Sequence, residues 1–187
     1  MAADWPLSPV QRVSLSRGEI LVDADVNFER NRGDVRAAVR IAAPASTIFA
    51  VMTDCAAALK FVPHLQRCVV LETGPDRSWE LVEHVVDLSW YIPRTRYVFR
   101  ADYDPGHSVS FHQVRGDLRA NEGLWEFVPE DAGTATIVTY RVHIVPRYYV
   151  PRWLVRSSLK RELPALLESL RRYCESGAGV AAEGGAK

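Results

Sequence analysis

The 187-residue chain lacks the charge imbalance and the long apolar segments that mark several large classes of protein. Its 23 Lys and Arg residues are balanced by 23 Asp and Glu residues, so the whole molecule has no net attraction to a phosphate backbone. Nucleic acid is therefore not expected as a partner. The longest stretch without a charged residue, 41–53, is shorter than the roughly 20 residues that a transmembrane helix requires.

Cysteine is scarce, and the first residues lack the features of a secretory signal. Cys55, Cys68 and Cys174 form neither an even set nor a Cys-x-x-Cys pair, which favours reduced thiols over a disulfide framework. The first ten residues include Asp4 and two prolines, and they contain neither a basic nor an apolar segment of the kind a signal needs. We therefore predict a cytoplasmic protein.

Motifs that hold phosphate, metal or a catalytic nucleophile are also missing. The chain has no Gly-rich phosphate loop and no Gly-x-Ser-x-Gly motif. His64 and Cys68 are spaced as metal ligands on a helix can be, but Pro63 precedes them and no second pair follows. We expect neither a cofactor nor a metal.

The composition, with 48% hydrophobic and 25% charged residues, is that of one packed domain. We predict that this domain spans residues 18–175. Residues 1–17 are predicted to form an N-terminal extension. Residues 176–187 are rich in Gly and Ala without apolar periodicity, and we predict a disordered tail there.

Alternation of apolar and polar residues predicts a sheet of hairpin-connected strands. Val22, Ala24 and Val26 alternate with Asp23 and Asp25, and a second alternating run spans 35–41 after a turn. Six further strand-like runs are separated by turn clusters; they cover residues 67–73, 79–90, 94–103, 108–115, 121–128 and 134–145. This order predicts a large, curved antiparallel sheet.

Helical spacing of apolar residues occurs in two places. Ile48, Phe49 and Met52 predict the first of two short helices between residues 45 and 62, with a break near Asp54 or Cys55. Near the C-terminus, leucines at helical spacing predict one long amphipathic helix with a kink or break near Pro164.

Together these elements predict an α+β fold. A curved antiparallel sheet wraps around the long C-terminal helix, and two short helices follow the opening strands. One face of such a sheet must be covered, and the C-terminal helix is the only predicted element long enough to cover it. Sheet and helix then enclose a groove that is either filled by side chains or open to a ligand.

Aromatic residues concentrate on the face of the sheet that would line this groove. Such a set is found in ordinary cores and also in apolar ligand pockets, so both interpretations stay open. His84 lies on the apolar side of its strand and is the strongest candidate for a polar group in a pocket, ahead of Gln113 and Tyr140. The candidate ligand-binding residues are His84, Trp90, Tyr97, Phe99, Phe111, Trp125, Tyr140, Trp153, Arg156 and Leu159.

Several segments follow one another in an order that is found in a known superfamily. They are APASTIFAVMTD (43–54), WYIPRTRYV (90–98), GLWEFVP (123–129), TIVTYRV (136–142), VPRWLV (150–155) and LLESLR (166–171). In this order they resemble the START lipid-binding domains and the wider START-like helix-grip (SRPBCC) superfamily, which includes coenzyme-Q-binding proteins and polyketide aromatase/cyclases. The resemblance covers about residues 35–175. It implies a helix-grip fold that holds a hydrophobic ligand between the sheet and the C-terminal helix, without a metal or a nucleotide.

The residues and the resemblance favour a binding module for a lipid, sterol, quinone or similar apolar molecule. We expect a cavity of roughly 300 Å³ or more, with Trp153, Arg156 and Leu159 on the helix side of its mouth. The alternative is an enzyme of the aromatase/cyclase type, in which His84, Arg96 or Tyr140 moves protons. A third hypothesis is a protein-binding domain with a vestigial pocket.

Charge is divided unevenly along the chain. Residues 147–187 hold eight basic and four acidic residues, a net +4, so residues 1–146 carry −4. Because Tyr148, Tyr149 and Trp153 lie among the first arginines of this segment, one hypothesis is transient docking on an anionic membrane during ligand exchange. The alternative is a solvated helix face.

Overall fold

A computed structural model describes residues 5–30, 32–87, 94–147 and 149–177 of the chain. Within these ranges eight strands form a curved antiparallel sheet, as predicted. They are β1 (Leu21–Asn27), β2 (Arg32–Ile41), β3 (Leu65–Thr73), β4 (Trp79–Val86), β5 (Thr95–Asp104), β6 (Ser108–Gly116), β7 (Leu118–Glu130) and β8 (Ala135–Pro146).

The strand order across the sheet is β1-β2-β8-β7-β6-β5-β4-β3. Strands β3 to β8 are therefore neighbours in chain order, and the opening hairpin of β1 and β2 adds to the far side of β8. The pairing of Val39 with Val138 and of Ala37 with Tyr140 fixes the register of that junction. As a result β1 and β3, which are early in the chain, form the two edges of the sheet.

The helices are α1 (Pro9–Ser16), α2 (Ala45–Met52), α3 (Cys55–Phe61), α4 (Arg152–Ser157) and α5 (Leu163–Glu175), with a π-helical turn (Ser158–Glu162) between the last two. Helices α2 and α3 are the predicted pair. The break between them falls at Asp54, whose side chain accepts hydrogen bonds from the backbone N–H groups of Ala56 and Ala57 and so caps α3.

The predicted break in the C-terminal helix is confirmed. Pro164 is the second residue of α5, where a missing backbone N–H costs no helical hydrogen bond. The chain reaches it through the π-helical turn, which separates α4 from α5. Helix α5 ends at Glu175, so the tail predicted for 176–187 lies mostly outside the described residues.

Helix α1 lies within the predicted N-terminal extension and was not predicted from the sequence. Ser8 and Gln11 form a capping box, because the Ser8 hydroxyl accepts from the Gln11 N–H and the Gln11 side chain accepts from the Ser8 N–H. Leu15 is buried against Ala38 and Ile137. Helix α1 therefore covers the outer face of the sheet behind β2 and β8.

The main core lies between the inner face of the sheet and the helices. Leu167 and Leu170 of α5 are fully buried against a cluster that includes Ala37, Val39 and Val138. Among the described helices, none combines the length and the apolar character needed to span a membrane.

The expectation of reduced thiols is wrong for two of the three cysteines. A disulfide joins Cys55, at the first turn of α3, to Cys68 on β3. The two residues are close because α3 packs along β3, a proximity that spacing in the sequence does not reveal. Only Cys174 is a free, buried thiol. The disulfide also makes Cys68 unavailable as a metal ligand and removes one argument for a cytoplasmic location.

Candidate ligand-binding cavity

A cavity of about 200 Å³ lies between the sheet and the helices. Its wall is formed by strands β3 to β8, by the α2–α3 segment and by Leu166 of α5. The volume is smaller than the 300 Å³ expected from the sequence. An apolar cavity of about 150 Å³ is enough to hold a single aromatic ring, so the space suits a compact apolar group.

Six of the predicted site residues meet in this wall. They are His84, Tyr97, Phe99, Phe111, Trp125 and Tyr140. Strand alternation places them there, because successive side chains point to opposite faces and these six have the inward parity of their strands. Register then aligns them across strands, with His84 opposite Tyr97 and Trp125 opposite Tyr140.

The aromatic rings form a continuous surface. Trp125 and Tyr140 are stacked with ring centroids 4.0 Å apart, and Phe111 lies nearly parallel to Tyr140 at 6.3 Å. Gly123 is opposite Phe111 on the neighbouring strand. A Cβ atom at Gly123 would approach the Phe111 ring to 2.7 Å and the Arg141 carbonyl oxygen to 2.3 Å. The glycine therefore leaves the space in which the Phe111 ring lies.

His84 and Tyr97 supply the polar pair of the wall. The Tyr97 hydroxyl lies 3.4 Å from Nδ1 of His84, and the Phe99 ring packs edge-on against the imidazole with centroids 4.8 Å apart. Burial lowers the pKa of His84 to about 4 and raises the pKa of Tyr97 to about 12. Both groups are therefore neutral at physiological pH.

The other tyrosines of the wall are also neutral. Burial, with a further contribution from Tyr97, raises the pKa of Tyr140 well above its usual value. The pKa of Tyr103 is raised by burial and by Glu80, whose carboxylate accepts a hydrogen bond from the Tyr103 hydroxyl at 3.0 Å. That hydroxyl is thus already occupied.

Three predicted residues near the C-terminal helix are not among those that line the cavity. Trp153 and Arg156 are exposed residues of α4, and Leu159 lies in the π-helical turn. The sequence predicted one long helix with a kink or break near Pro164 and placed these three residues on its cavity side. The π-helical turn before α5 changes the helical periodicity between them and α5. Leu166, in the first turns of α5, is the described residue of that helix that lines the cavity. Trp90 lies outside the described residues.

Two polar candidates are also not among the residues that line the cavity. Arg96 points to the outer face of the sheet, where it pairs with the buried carboxylate of Glu83. Gln113 donates to the carbonyl oxygen of Leu118 at 2.8 Å and is not among the lining residues. Neither position supports the role in proton transfer or orientation that the sequence suggested.

Sequence reasoning missed the part of the wall that comes from α2 and α3. Met52, Ala58, Phe61 and Val62 line the cavity together with the Cys55–Cys68 disulfide. Their apolar character was visible, but only the packing of α3 along β3 shows that they close this side. A second link holds the segment, since Nε2 of His64 lies 3.1 Å from a carboxylate oxygen of Glu162 in the π-helical turn.

The fold is similar to that of several known structures. The STAR-related lipid transfer protein from Xanthomonas axonopodis superposes with a TM-score of 0.70 at 20% identity, over 83% of this chain and 93% of that chain. The ZhuI aromatase/cyclase from a Streptomyces species superposes with a TM-score of 0.66 at 21% identity, over 83% of this chain and 99% of that chain. The lipid transfer and protein localization domain of human StarD13 superposes with a TM-score of 0.67 at 14% identity, over 87% of this chain and 93% of that chain.

At these identities the superpositions show a shared fold, the helix-grip architecture that the sequence resemblance implied. No curated protein sequence matches the chain. The sequence does match one family model, described as polyketide cyclase/dehydrase and lipid transport, over residues 41–171. This range begins at the end of β2 and ends within α5, so it includes every strand and helix that lines the cavity. The chain belongs to this polyketide cyclase/dehydrase and lipid transport family.

Proposed function

We propose that the protein binds a hydrophobic small molecule, such as a lipid, sterol, quinone or polyketide, in the cavity between the sheet and α5. The observation that carries this proposal is the wall itself, where apolar and aromatic side chains surround one neutral hydrogen-bonding pair, His84 and Tyr97. Ligand pockets commonly combine a mostly hydrophobic lining with a few placed polar groups. Burial of apolar ligand surface, at about 25 cal/mol per Å², supplies most of the affinity.

The test begins with organic extraction of the purified protein and mass spectrometry of the extract. A hydrophobic compound in the extract is then checked against a variant with a filled cavity. Ala101→Leu places extra volume in the lining, whereas Val114→Leu adds the same type of side chain at an exposed position of β6. We expect the first variant to lose the compound and the second to keep it. Equal retention by both folded variants would overturn the proposal.

A catalytic use of the same cavity is the second candidate, and the His84–Tyr97 pair favours it. A neutral imidazole inside a cavity can accept a proton from a bound ligand, as cyclisation by aldol closure and dehydration requires. The His84→Gln variant separates the two functions. For a binder, the amide keeps a donor and an acceptor, and affinity falls by no more than about 1.5 kcal/mol. For a cyclase, turnover falls about 10²- to 10⁴-fold while affinity barely changes.

Transport between membranes would add a docking step, for which the segment before and within α4 is the proposed surface. Trp153 is 58% exposed and Tyr149 is 70% exposed, and Arg152 and Arg156 are exposed beside them. Each basic group contributes about 1 kcal/mol near an anionic surface. Co-sedimentation with vesicles of phosphatidylcholine alone and with added phosphatidylserine tests this step. Binding that is absent from both, or equal for both, removes it.

A further inference from the structure

The cavity wall contains almost no formal charge. Among the described residues that line it, none is Lys or Arg, and Asp54 is the one acidic residue. The Asp54 carboxylate is already engaged, because its two oxygens accept from the N–H groups of Ala56 and Ala57 at 3.0 and 3.2 Å. An anionic group brought into this wall would therefore meet, among the described lining residues, no cation that could replace its hydration.

The nearest buried acid also disfavours an anion. Glu80 is 2% exposed and lies behind Tyr103, whose hydroxyl donates to it. Arg77 neutralises Glu80 through contacts of 3.3 and 3.1 Å, and the Arg77 side chain is itself mostly exposed. The guanidinium is thus committed to Glu80, and it is not among the groups that line the cavity.

The remaining polar groups of the described wall are uncharged. They include Thr53, Asn121, the tyrosine hydroxyls and His84, and the Thr53 hydroxyl already donates to the Phe49 carbonyl oxygen at 2.9 Å. The Tyr97 hydroxyl and Nδ1 of His84 lie 3.4 Å apart, and we assign the hydroxyl as the donor and Nδ1 as the acceptor. In a neutral imidazole that accepts at Nδ1, the proton lies on Nε2. No described residue accepts a hydrogen bond from Nε2. An oxygen acceptor on a ligand, such as a ketone, quinone or hydroxyl oxygen, complements this N–H without bringing charge into the cavity.

We propose that the cavity selects uncharged ligands that present a carbonyl or hydroxyl oxygen to Nε2 of His84, and that it rejects ligands whose inner end is a carboxylate or a phosphate. This inference rests on the proposed function, because it names the ligand class of the same cavity. Among lipids it favours quinones, sterols and neutral ketones over fatty acids and lipids that would insert a phosphate.

Three probes of one shape test the proposal by isothermal titration at pH 7.5. They are 2-acetylnaphthalene, a ketone; 2-ethylnaphthalene, a hydrocarbon; and 2-naphthoate, a carboxylate. We expect the ketone to bind about threefold to tenfold more tightly than the hydrocarbon, the effect of one neutral hydrogen bond. We expect the carboxylate to bind at least about tenfold more weakly than the hydrocarbon, because its desolvation is not compensated.

Two variants assign the effect to the polar pair. His84→Leu should bind the hydrocarbon within about twofold of the unmutated protein and lose the advantage of the ketone. Tyr97→Phe keeps the imidazole but removes the hydroxyl that fixes the Nε2–H tautomer, so it should retain only part of that advantage. Circular dichroism checks that each variant is folded. If His84→Leu does not fold, Tyr97→Phe alone tests the role of the polar pair.

The outcomes separate the inference from the proposed function. If the carboxylate binds as tightly as the hydrocarbon or more tightly, the selection for uncharged ligands is overturned while the binding function stands. A ketone advantage that persists in His84→Leu overturns the role of Nε2. If none of the three probes binds, and extraction yields no compound, the binding function fails and this inference fails with it.

Discussion

The two halves of the inner sheet face follow the same alternating pattern, yet one half is filled and the other is open. In the filled half, Ala37 and Val39 of β2 and Val138 of β8 are small or β-branched residues that are fully buried beneath α5, whereas Tyr140 of β8 belongs to the cavity wall. In the open half, strands β4 to β6 present His84, Tyr97, Phe99 and Phe111 around the cavity.

The difference lies in the size of the inward side chains. Small residues allow a helix to approach a sheet closely, so Leu167 and Leu170 complete the packing there without a gap. Large rings stand on the other strands and pack mainly against one another, as the contacts among Tyr97, Phe99 and Phe111 show. Because small residues hold α5 close to the filled half of the sheet, α5 cannot also fill the space between the large aromatic rings of the open half.

The sharpest way to test this comparison is to truncate two adjacent leucines of α5. Leu167 is fully buried in the filled half, and Leu166 lines the cavity. We expect Leu167→Ala to lower the free energy of unfolding by about 4 kcal/mol, within the range for a buried leucine. Leu166→Ala should cost less than half as much, because part of its surface already faces open space. Urea unfolding of both variants measures the difference, and equal losses would contradict the division into two halves.

The disulfide between Cys55 and Cys68 holds the open half where packing does not. It closes a loop across a sequence separation of 13 residues, for which the lost chain entropy of the unfolded state is worth about 3 kcal/mol. The double variant Cys55→Ser/Cys68→Ser should lose this amount, and dithiothreitol should lower the stability of the unmutated protein similarly.

The double variant is also the control for the reductant, because dithiothreitol should not change its stability further. Thiol titration of the native protein should find no reactive thiol, because Cys55 and Cys68 are joined in the disulfide and Cys174 is buried. Two readily titrated thiols, together with a stability that does not respond to dithiothreitol, would show that the bond is absent in solution.

Acid should lower the free energy of unfolding through His84 in the open half. Burial lowers the pKa of His84 to about 4 from an ordinary value of 6.5, so the unfolded chain takes up a proton at a pH where the folded protein does not. The stabilising effect is complete above about pH 6.5 and is lost as the pH falls toward 4. It amounts to about 2 kcal/mol between pH 7 and pH 5.

His84→Gln is the matched variant for this pH dependence. The variant lacks the titrating group. Between pH 7 and pH 5 its free energy of unfolding should therefore decrease by about 2 kcal/mol less than that of the unmutated protein. Urea unfolding at several pH values supplies the measurement. Parallel pH profiles for the two proteins would show that the imidazole is protonated equally easily in the folded and unfolded states.

Much of the architecture was predictable because it depends on local pattern. Alternation of apolar and polar residues predicted the eight strands. The break near Asp54 predicted two short helices, and Pro164 predicted the interruption of the C-terminal helix. Parity also identified six residues of the cavity wall. The helix side was less predictable, because Trp153 and Arg156 lie beyond a π-helical turn that no periodicity rule indicates.

The remaining omissions have different physical causes. The Cys55–Cys68 bond depends on how α3 packs on β3, which is a tertiary contact. Whether the groove is filled depends on side-chain volumes across several strands, and alternation alone cannot rank them. Helix α1, in contrast, had a local signal in its capping box from Ser8 to Gln11.

The smallest expected effect concerns the outer support of the filled half. Helix α1 packs Leu15 against the back of β2 and β8, and the Ser8 hydroxyl caps its first turn. Ser8→Ala should lower the free energy of unfolding by about 1 kcal/mol, the usual effect of losing such a cap. Ser16→Ala, at the exposed end of the same helix, should change it by less than about 0.5 kcal/mol. Because α1 lies on the opposite face of the sheet from the cavity, ligand affinity should stay the same in both variants. An affinity that falls with the loss of the cap would show that the filled half transmits strain to the open half, and the two halves would then have to be treated as one unit.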